Sequence, residues 1–328
     1  MGIGKKELYM NTKNQKRLTD QGFTLVELMV AMAISLVVMG AIFLTFKSQQ
    51  DSYIIQAQIT ATQQNLRSAM YMLTRDIQMA GYYTNFDTKT YTTIDWDPTL
   101  GGNETTRSLI YGRNNDDGSG NDVKPGTDVI VIIKASNNSN DSRQLTGSDT
   151  IGTNTITLSP FDIDLDDSGS RFGLLIKDNL SRAEIFEITS KAGTTVTLTN
   201  NLLESYTAGD RIFRADVIIY KVDEDSDNPS LRRANLGNGG ATFNVIAENI
   251  DNLQFQYLLS DGTWTNNTAG QESNVRAVEI SLLARTANTN RGYIDPNTYS
   301  IGDVNYNPSN AYRRKLLCVT VKTRNIGL

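Results

Sequence analysis

Residues 22–47 read GFTLVELMVAMAISLVVMGAIFLTFK, and this stretch sets the organisation of the chain. Positions 23–46 form an apolar run with a single ionisable side chain, Glu27, and Lys47 marks its polar end. A helix of about 20 apolar residues is long enough to span a bilayer. The run therefore predicts a transmembrane helix over 23–46.

The residues before the apolar run are basic. Residues 1–22 hold five basic and two acidic side chains, whereas the complete chain has a formal net charge of -5. Positive charge beside a membrane segment stays on the cytoplasmic side. A secretory signal also joins a basic to an apolar region, but its apolar core is shorter and a small-residue cleavage site follows it. No such site follows Phe46, so charge and hydropathy leave an uncleaved signal anchor as the alternative.

Two residues argue against a plain signal anchor. Gly22 directly precedes the apolar run, and Glu27 lies early inside it. A charged side chain at mid-membrane costs about 2.5–3.5 kcal/mol on insertion scales, so an ionisable residue in the membrane is a functional hypothesis that needs a partner. Cleavage between Gly22 and Phe23 would create an α-amino group. That amine is poorly placed for Glu27 of the same helix, whereas a neighbouring helix shifted along its axis would bring the two charges together.

The stretch Gly22–Leu28 after a short basic leader resembles the type IV prepilin signature, a class III signal. This resemblance implies that residues 1–22 are a leader peptide, which a prepilin peptidase removes before it N-methylates Phe23. It also implies that Glu27 is the carboxylate that guides the subunit into the filament. The partners implied are the prepilin peptidase, other minor and major pilins, and the pilus assembly platform of the inner membrane.

A helical pattern continues beyond the apolar run. Neither Pro nor Gly occurs from Ser48 to Ala80, and Gly81 predicts the end of the helix. Apolar residues recur there at steps of three and four: Leu66, Ala69, Met70, Leu73, Ile77 and Ala80. Residues 23–80 would form a rod of about 85 Å at about 1.5 Å per residue. We therefore expect an amphipathic continuation over 47–81 with one face against a globular domain.

After Gly81 the sequence is typical of β-structure. Short runs of β-branched and apolar residues alternate with clusters of Gly, Asn, Asp and Ser. The only later helical candidate is a short segment at 241–250. The predicted fold is α+β and pilin-like: a long N-terminal helix packed on an antiparallel sheet, in a body of 82–328 with a β-rich insertion near 101–210.

Two further stretches resemble PilW-type minor pilins: residues 73–82 (LTRDIQMAGY), which are also similar to the J-type pseudopilin of type II secretion, and residues 319–325 (VTVKTRN). The resemblance implies a minor pilin that initiates filament assembly and sits at the tip. Its body would be periplasmic on a single inner-membrane span before assembly, and on the pilus at the cell surface afterwards. The alternatives are a J-type pseudopilin and a membrane-tethered adhesin or ligand-binding module. Such filaments serve in adhesion, twitching motility and DNA uptake, and the sequence does not distinguish these functions.

Composition argues against catalysis. The chain has no histidine, which excludes Ser-His-Asp and Cys-His nucleophiles and histidine-bearing zinc sites. No phosphate-binding Gly-x-x-x-x-Gly-Lys-Ser/Thr motif is present. The acidic body shows no broad basic surface for nucleic acid. We therefore expect a structural protein that is not an enzyme and has no cofactor.

Two smaller features complete the predictions. The single cysteine, Cys318, lies in a strand-like run and is expected to be a buried core residue. The spacing of Asp162, Asp164 and Asp166 matches the first positions of an EF-hand calcium loop. However, Asp167 stands at the sixth position, where the loop needs glycine, and Gly173 stands at the twelfth, where it needs a bidentate glutamate. A solvated acidic loop is the expectation there, with weak Ca²⁺ binding as the alternative.

Overall fold

A computed structural model describes residues 22–82, 109–118, 122–136, 142–158, 172–179, 183–225, 227–236, 242–268 and 271–326. The chain divides into two compact units, Met1–Ile54 and Ile55–Leu328. Its α-helix, α1 (Leu25–Gln78), contributes residues to both units. Every β-strand among the described residues belongs to the second unit, so the fold class is α+β, as the sequence predicted.

The last third of α1 packs on the β-structure through one apolar face. Its buried residues recur at steps of three and four, which confirms the predicted helical pattern: Leu66, Ala69, Met70, Leu73 and Ile77 are all at most 5% exposed. Full burial of a leucine such as Leu73 contributes about 1.5–3 kcal/mol. These contacts hold residues 66–78 of α1 against the core of the second unit.

The end of α1 is capped by distant parts of the chain. Gly81 adopts a left-handed conformation with φ of 70°, which glycine tolerates because it has no Cβ. Its N–H donates to the carbonyl of Ile133 at 2.8 Å. The Asn325 side-chain amide donates to the carbonyls of Ala80 at 3.2 Å and Gln78 at 3.5 Å. The C-terminal segment therefore satisfies carbonyls that the end of a helix leaves without partners.

Ten antiparallel strands form the largest sheet. They are β1 (Ile110–Asp116), β2 (Thr127–Ala135), β3 (Ser142–Gln144), β4 (Thr155–Thr157), β5 (Phe172–Ile176), β6 (Ala183–Ala192), β7 (Thr195–Leu198), β8 (Arg211–Val222), β9 (Ser230–Asn235) and β10 (Asn244–Glu248). Strand β8 is the longest and joins two halves of this sheet. Its second half pairs with β2 and β9, and its first half pairs with β3 and β5.

Strand β8 contributes to two hydrophobic cores, with Ile212 in the smaller core and its buried residues from Phe213 onward in the larger core. The larger core contains the buried face of α1 together with residues of β1, β2, β8, β11 and β13. The smaller core is built from strands and turns of residues 145–212, with Phe186, Tyr206 and Ile212 among its buried side chains. This smaller core lies within the region where the sequence predicted a β-rich insertion.

A second sheet has the strand order β12-β11-β13-β16. Its strands are β11 (Ile250–Leu259), β12 (Trp264–Thr265), β13 (Val275–Arg285) and β16 (Arg314–Lys322), with a short 3₁₀ helix at Glu272–Asn274. A separate hairpin comprises β14 (Tyr299–Ile301) and β15 (Val304–Tyr306). Its turn residue Gly302 has φ of 54°, and a Cβ there would lie 2.9 Å from that of Gln254, so the hairpin packs closely against β11.

Two sequence predictions were wrong. Within 241–250, the segment that could hold a short helix, Asn244–Glu248 forms β10, because its residues pair with β9 as an antiparallel ladder. Cys318 is exposed and not buried. Alternate residues of a strand face opposite sides, and in β16 Leu317, Val319 and Val321 face the core. Asp162, Asp164 and Asp166 lie outside the described residues.

Candidate functional site on the long helix

The first unit exposes an apolar helical surface. Every residue from Gly22 to Ile54 is exposed, including Phe23 at 87% and Val37 at 73%. Over the part of the chain with described structure, α1 is the one helix long and apolar enough to cross a membrane. A helix that is apolar on all sides is stable only when lipid or other protein covers it. The exposed apolar surface therefore has to be covered by lipid or by another protein.

The start of α1 is a complete capping box. Thr24 Oγ1 accepts a hydrogen bond from the N–H of Glu27 at 3.2 Å. In return, Glu27 Oε2 accepts from the Thr24 N–H at 2.9 Å and from the Thr24 hydroxyl at 3.0 Å. This reciprocal arrangement satisfies backbone donors at the start of a helix, and the carboxylate is favoured by the helix dipole. Sequence reasoning missed this role, although Thr-x-x-Glu before an apolar run is its signature.

The other polar side chains of the apolar segment bond within the helix. The Ser35 hydroxyl donates to the carbonyl of Ala31 at 2.7 Å, and the Thr45 hydroxyl donates to that of Ala41 at 2.9 Å. Among the residues described, Glu27 Oε1 receives no hydrogen bond. Glu27 Oε1 thus lacks a hydrogen bond among the described residues, whereas the Ser and Thr side chains of the apolar segment bond within the helix.

The predicted cleavage position lies just before the helix. Gly22 and Phe23 precede the first helical residue, Leu25, and both are exposed. A Cβ built on Gly22 would meet no atom within 4 Å. The described fold therefore does not require glycine at position 22.

The other end of α1 is held by a buried ion pair. Asp76 Oδ2 accepts from the Tyr220 hydroxyl at 2.7 Å and from Arg233 Nε at 2.8 Å. Burial, and then the negative charge of Asp76, raise the pKa of Tyr220 far above its usual value, so this hydroxyl remains a donor. Although it is a charged residue, Asp76 is only 7% exposed. Asp76 therefore links α1 to β8 and β9.

A second buried network lies where β16 begins. Arg314 donates through Nε to Asp251 at 2.6 Å and through Nη1 to Asp295 at 3.3 Å. Its side chain is 0% exposed. No signal in the sequence identified this network, because its members come from β11, β16 and the segment between β13 and β14. Over the described ranges, no group of three or more His, Cys, Asp or Glu side chains could hold a metal ion.

Comparisons with known proteins match both ends of the chain. Residues 17–43 match the prokaryotic N-terminal methylation motif, and residues 219–325 match the family described as Type IV Pilus-assembly protein W, PilW. No curated protein gives a significant match. Among solved structures, a type IV-like pilin from Thermus thermophilus is 11% identical with a TM-score of 0.34, covering 80% of this chain and 97% of that one. Residues 219–325 are therefore similar to PilW, a type IV pilus-assembly protein, and residues 17–43 carry an N-terminal methylation motif.

Proposed function

We propose that this protein is a minor pilin that initiates assembly of a type IV pilus and sits at its tip. The observation that carries the proposal is the free Oε1 of Glu27 on an exposed apolar helix whose other polar groups bond within the helix. In a bilayer, one unmatched carboxylate oxygen is costly, and a positive partner on a neighbouring helix removes that cost. The helix then exchanges lipid contacts for contacts with the helices of other pilins.

Processing supplies the positive partner. We infer that residues 1–22 are a leader, that prepilin peptidase cuts between Gly22 and Phe23, and that Phe23 is then N-methylated. The bond lies in exposed, non-helical chain, where a protease has access. Thr24 and Glu27 both follow the cut, so the capping box survives it. The new amine of one subunit can therefore bind Glu27 Oε1 of the next, while Thr24 continues to hold Oε2.

The chain boundaries follow from this proposal. Residues 23–46 form the membrane helix and later the filament core, 47–81 continue the helix, and 82–328 form the body with an insertion near 101–210. The body is periplasmic before assembly and on the pilus afterwards. The assembly platform of the inner membrane and other pilins are the partners of this pathway.

N-terminal sequencing tests the processing step. The full chain is produced with and without a prepilin peptidase, and we expect the peptidase to yield a product that starts at N-methylated Phe23. Gly22→Val is the matched variant, because space is open around this position and the fold is not affected. We expect this variant to keep residues 1–22. A wild-type product that retains its leader in the presence of an active peptidase would refute the proposal.

A deletion strain tests the assignment to a pilus. We expect loss of the chain to reduce strongly the number of surface pili while secretion of exoproteins continues. The opposite result, normal pili with loss of secretion, would assign the protein as a J-type pseudopilin. Normal pili with loss of surface attachment would instead favour an adhesin.

A further inference from the structure

A basic pocket lies in the second unit, between α1 and the segment that leads into β16. Its volume is about 140 Å³, and its lining residues are Ile59 and Thr62 of α1 with Thr286, Tyr293, Arg313, Arg314 and Lys315. Three of these seven residues are cationic and none is acidic. The pocket is separate from the N-terminal site of α1, and the sequence analysis did not detect it.

Two guanidinium groups that line this pocket have unsatisfied donors. The Arg314 side chain is completely buried, and its Nη2 has no hydrogen-bond partner, although its Nε and Nη1 bind carboxylates. Arg313 has a buried Nε without a partner, and its guanidinium carbon lies 4.1 Å from the centroid of the Tyr293 ring. Buried donors are satisfied in the great majority of cases, and an acceptor in this pocket could satisfy two nitrogens of its lining residues that have no partner among the described residues.

The charge balance around the pocket gives the sign of that acceptor. Arg314 is compensated by Asp251 and Asp295. The described residues give no carboxylate partner to Arg313 or to the exposed Lys315. The hydroxyls of Thr62 and Thr286 donate to main-chain carbonyls. The pocket therefore presents guanidinium and ammonium donors, and the group that complements them is an oxyanion.

We propose that this pocket binds a carboxylate, supplied by an acidic side chain of a neighbouring pilin subunit. The planar fork of a guanidinium matches a carboxylate, which can accept from two nitrogens at once. The body of this chain is acidic, since the complete chain carries -5 even with its basic leader, so a second subunit of like composition presents many carboxylates. The identity of the donor subunit rests on the proposed pilin function, whereas the carboxylate site itself does not.

Thermal unfolding of the full chain in detergent tests the site. The probes are 100 mM sodium acetate, 100 mM sodium phosphate and sodium chloride at matched ionic strength. If acetate binds with a Kd of about 10 mM, it raises Tm by roughly 3 °C relative to chloride. We expect Lys315→Gln and Arg313→Gln each to remove most of this increase. Lys322→Gln is the control, because it removes one exposed positive charge at the far end of β16, outside the pocket.

The outcomes separate the alternatives. An equal Tm in acetate and chloride, or an acetate effect that persists in both pocket variants, would overturn the site and indicate that water fills it. A response to phosphate without one to acetate would overturn the carboxylate assignment. Lys315 is exposed, so its variant remains informative if Arg313→Gln fails to fold.

An assembly assay tests the source of the carboxylate. We expect Lys315→Glu to reduce incorporation of the subunit into pili by at least about threefold while cleavage after Gly22 proceeds normally. Normal incorporation of this variant, together with acetate binding by the wild type, would refute a subunit carboxylate and leave a site for a free one. A wild-type chain that never enters pili would instead refute the proposed function.

Discussion

Replacement of Asp76 is expected to loosen the end of α1 from the body. Asp76 accepts hydrogen bonds from Tyr220 and Arg233 and is the acidic member of the ion pair. In Asp76→Ala, the hydroxyl of Tyr220 and the charge of Arg233 both lose their acceptor. The loss is costly because a buried group without a partner cannot recover its interaction with water.

The magnitude follows from the burial of the two partners. Removal of one member of a buried ion pair costs about 3–5 kcal/mol. The Arg233 side chain keeps 24% of its surface exposed, so water screens part of the charge. We therefore expect Asp76→Ala to lower the free energy of unfolding by about 2–3 kcal/mol and Tm by roughly 4–10 °C. Asp76→Asn keeps an acceptor for Tyr220 and should lose about half as much.

The assay is thermal unfolding of the full chain in detergent, followed by tryptophan fluorescence. Arg75→Ala is the matched control, because Arg75 is the exposed neighbour on the same helix, and it should change Tm by less than about 2 °C. The double variant Asp76→Ala/Arg233→Gln should be more stable than the sum of the single effects predicts, because the two residues contact each other. A Tm for Asp76→Ala within about 1 °C of that for Arg75→Ala would refute the reasoning.

Three other predictions concern separate parts of the chain. Glu27→Ala should leave cleavage after Gly22 intact but abolish incorporation into pili, and Glu27→Gln should behave in the same way because the amide lacks the charge; a normal number of pili containing either variant contradicts this role. Burial raises the pKa of Glu184 to about 7, against the hydrogen bonds from Leu203 and Tyr206 that lower it, so the folded chain binds this proton more tightly than the unfolded chain. The resulting contribution to stability is fully present below the ordinary pKa of glutamate and is lost as pH rises to about 7. When unfolding is measured from pH 4.5 to 8, Tm should therefore decrease less for Glu184→Gln than for the wild type. Identical Tm profiles would exclude Glu184 as the titrating group. Cys318 is exposed, so a maleimide should label the native chain at its single cysteine without denaturant, and labelling that requires unfolding would place it in the core.

Sequence alone was sufficient where structure and function depend on local physics. The apolar run 23–46, the basic residues before it and the position of Glu27 within it can be read from one continuous segment. The buried face of α1 follows from its helical period, and the long strands β8, β11 and β13 follow from short runs rich in β-branched and apolar residues. The match to the N-terminal methylation motif lies in this same locally encoded region.

Tertiary structure decided the features that depend on residues far apart in the chain. Asp76 is buried because β8 and β9 bring Tyr220 and Arg233 to it. Residues 244–248 became a strand and not a helix because β9 offered a partner ladder. The pocket at Arg313 and Arg314 exists because α1 packs beside the start of β16. Local patterns carry no information about such partners, since burial and charge pairing are set only when the chain has folded.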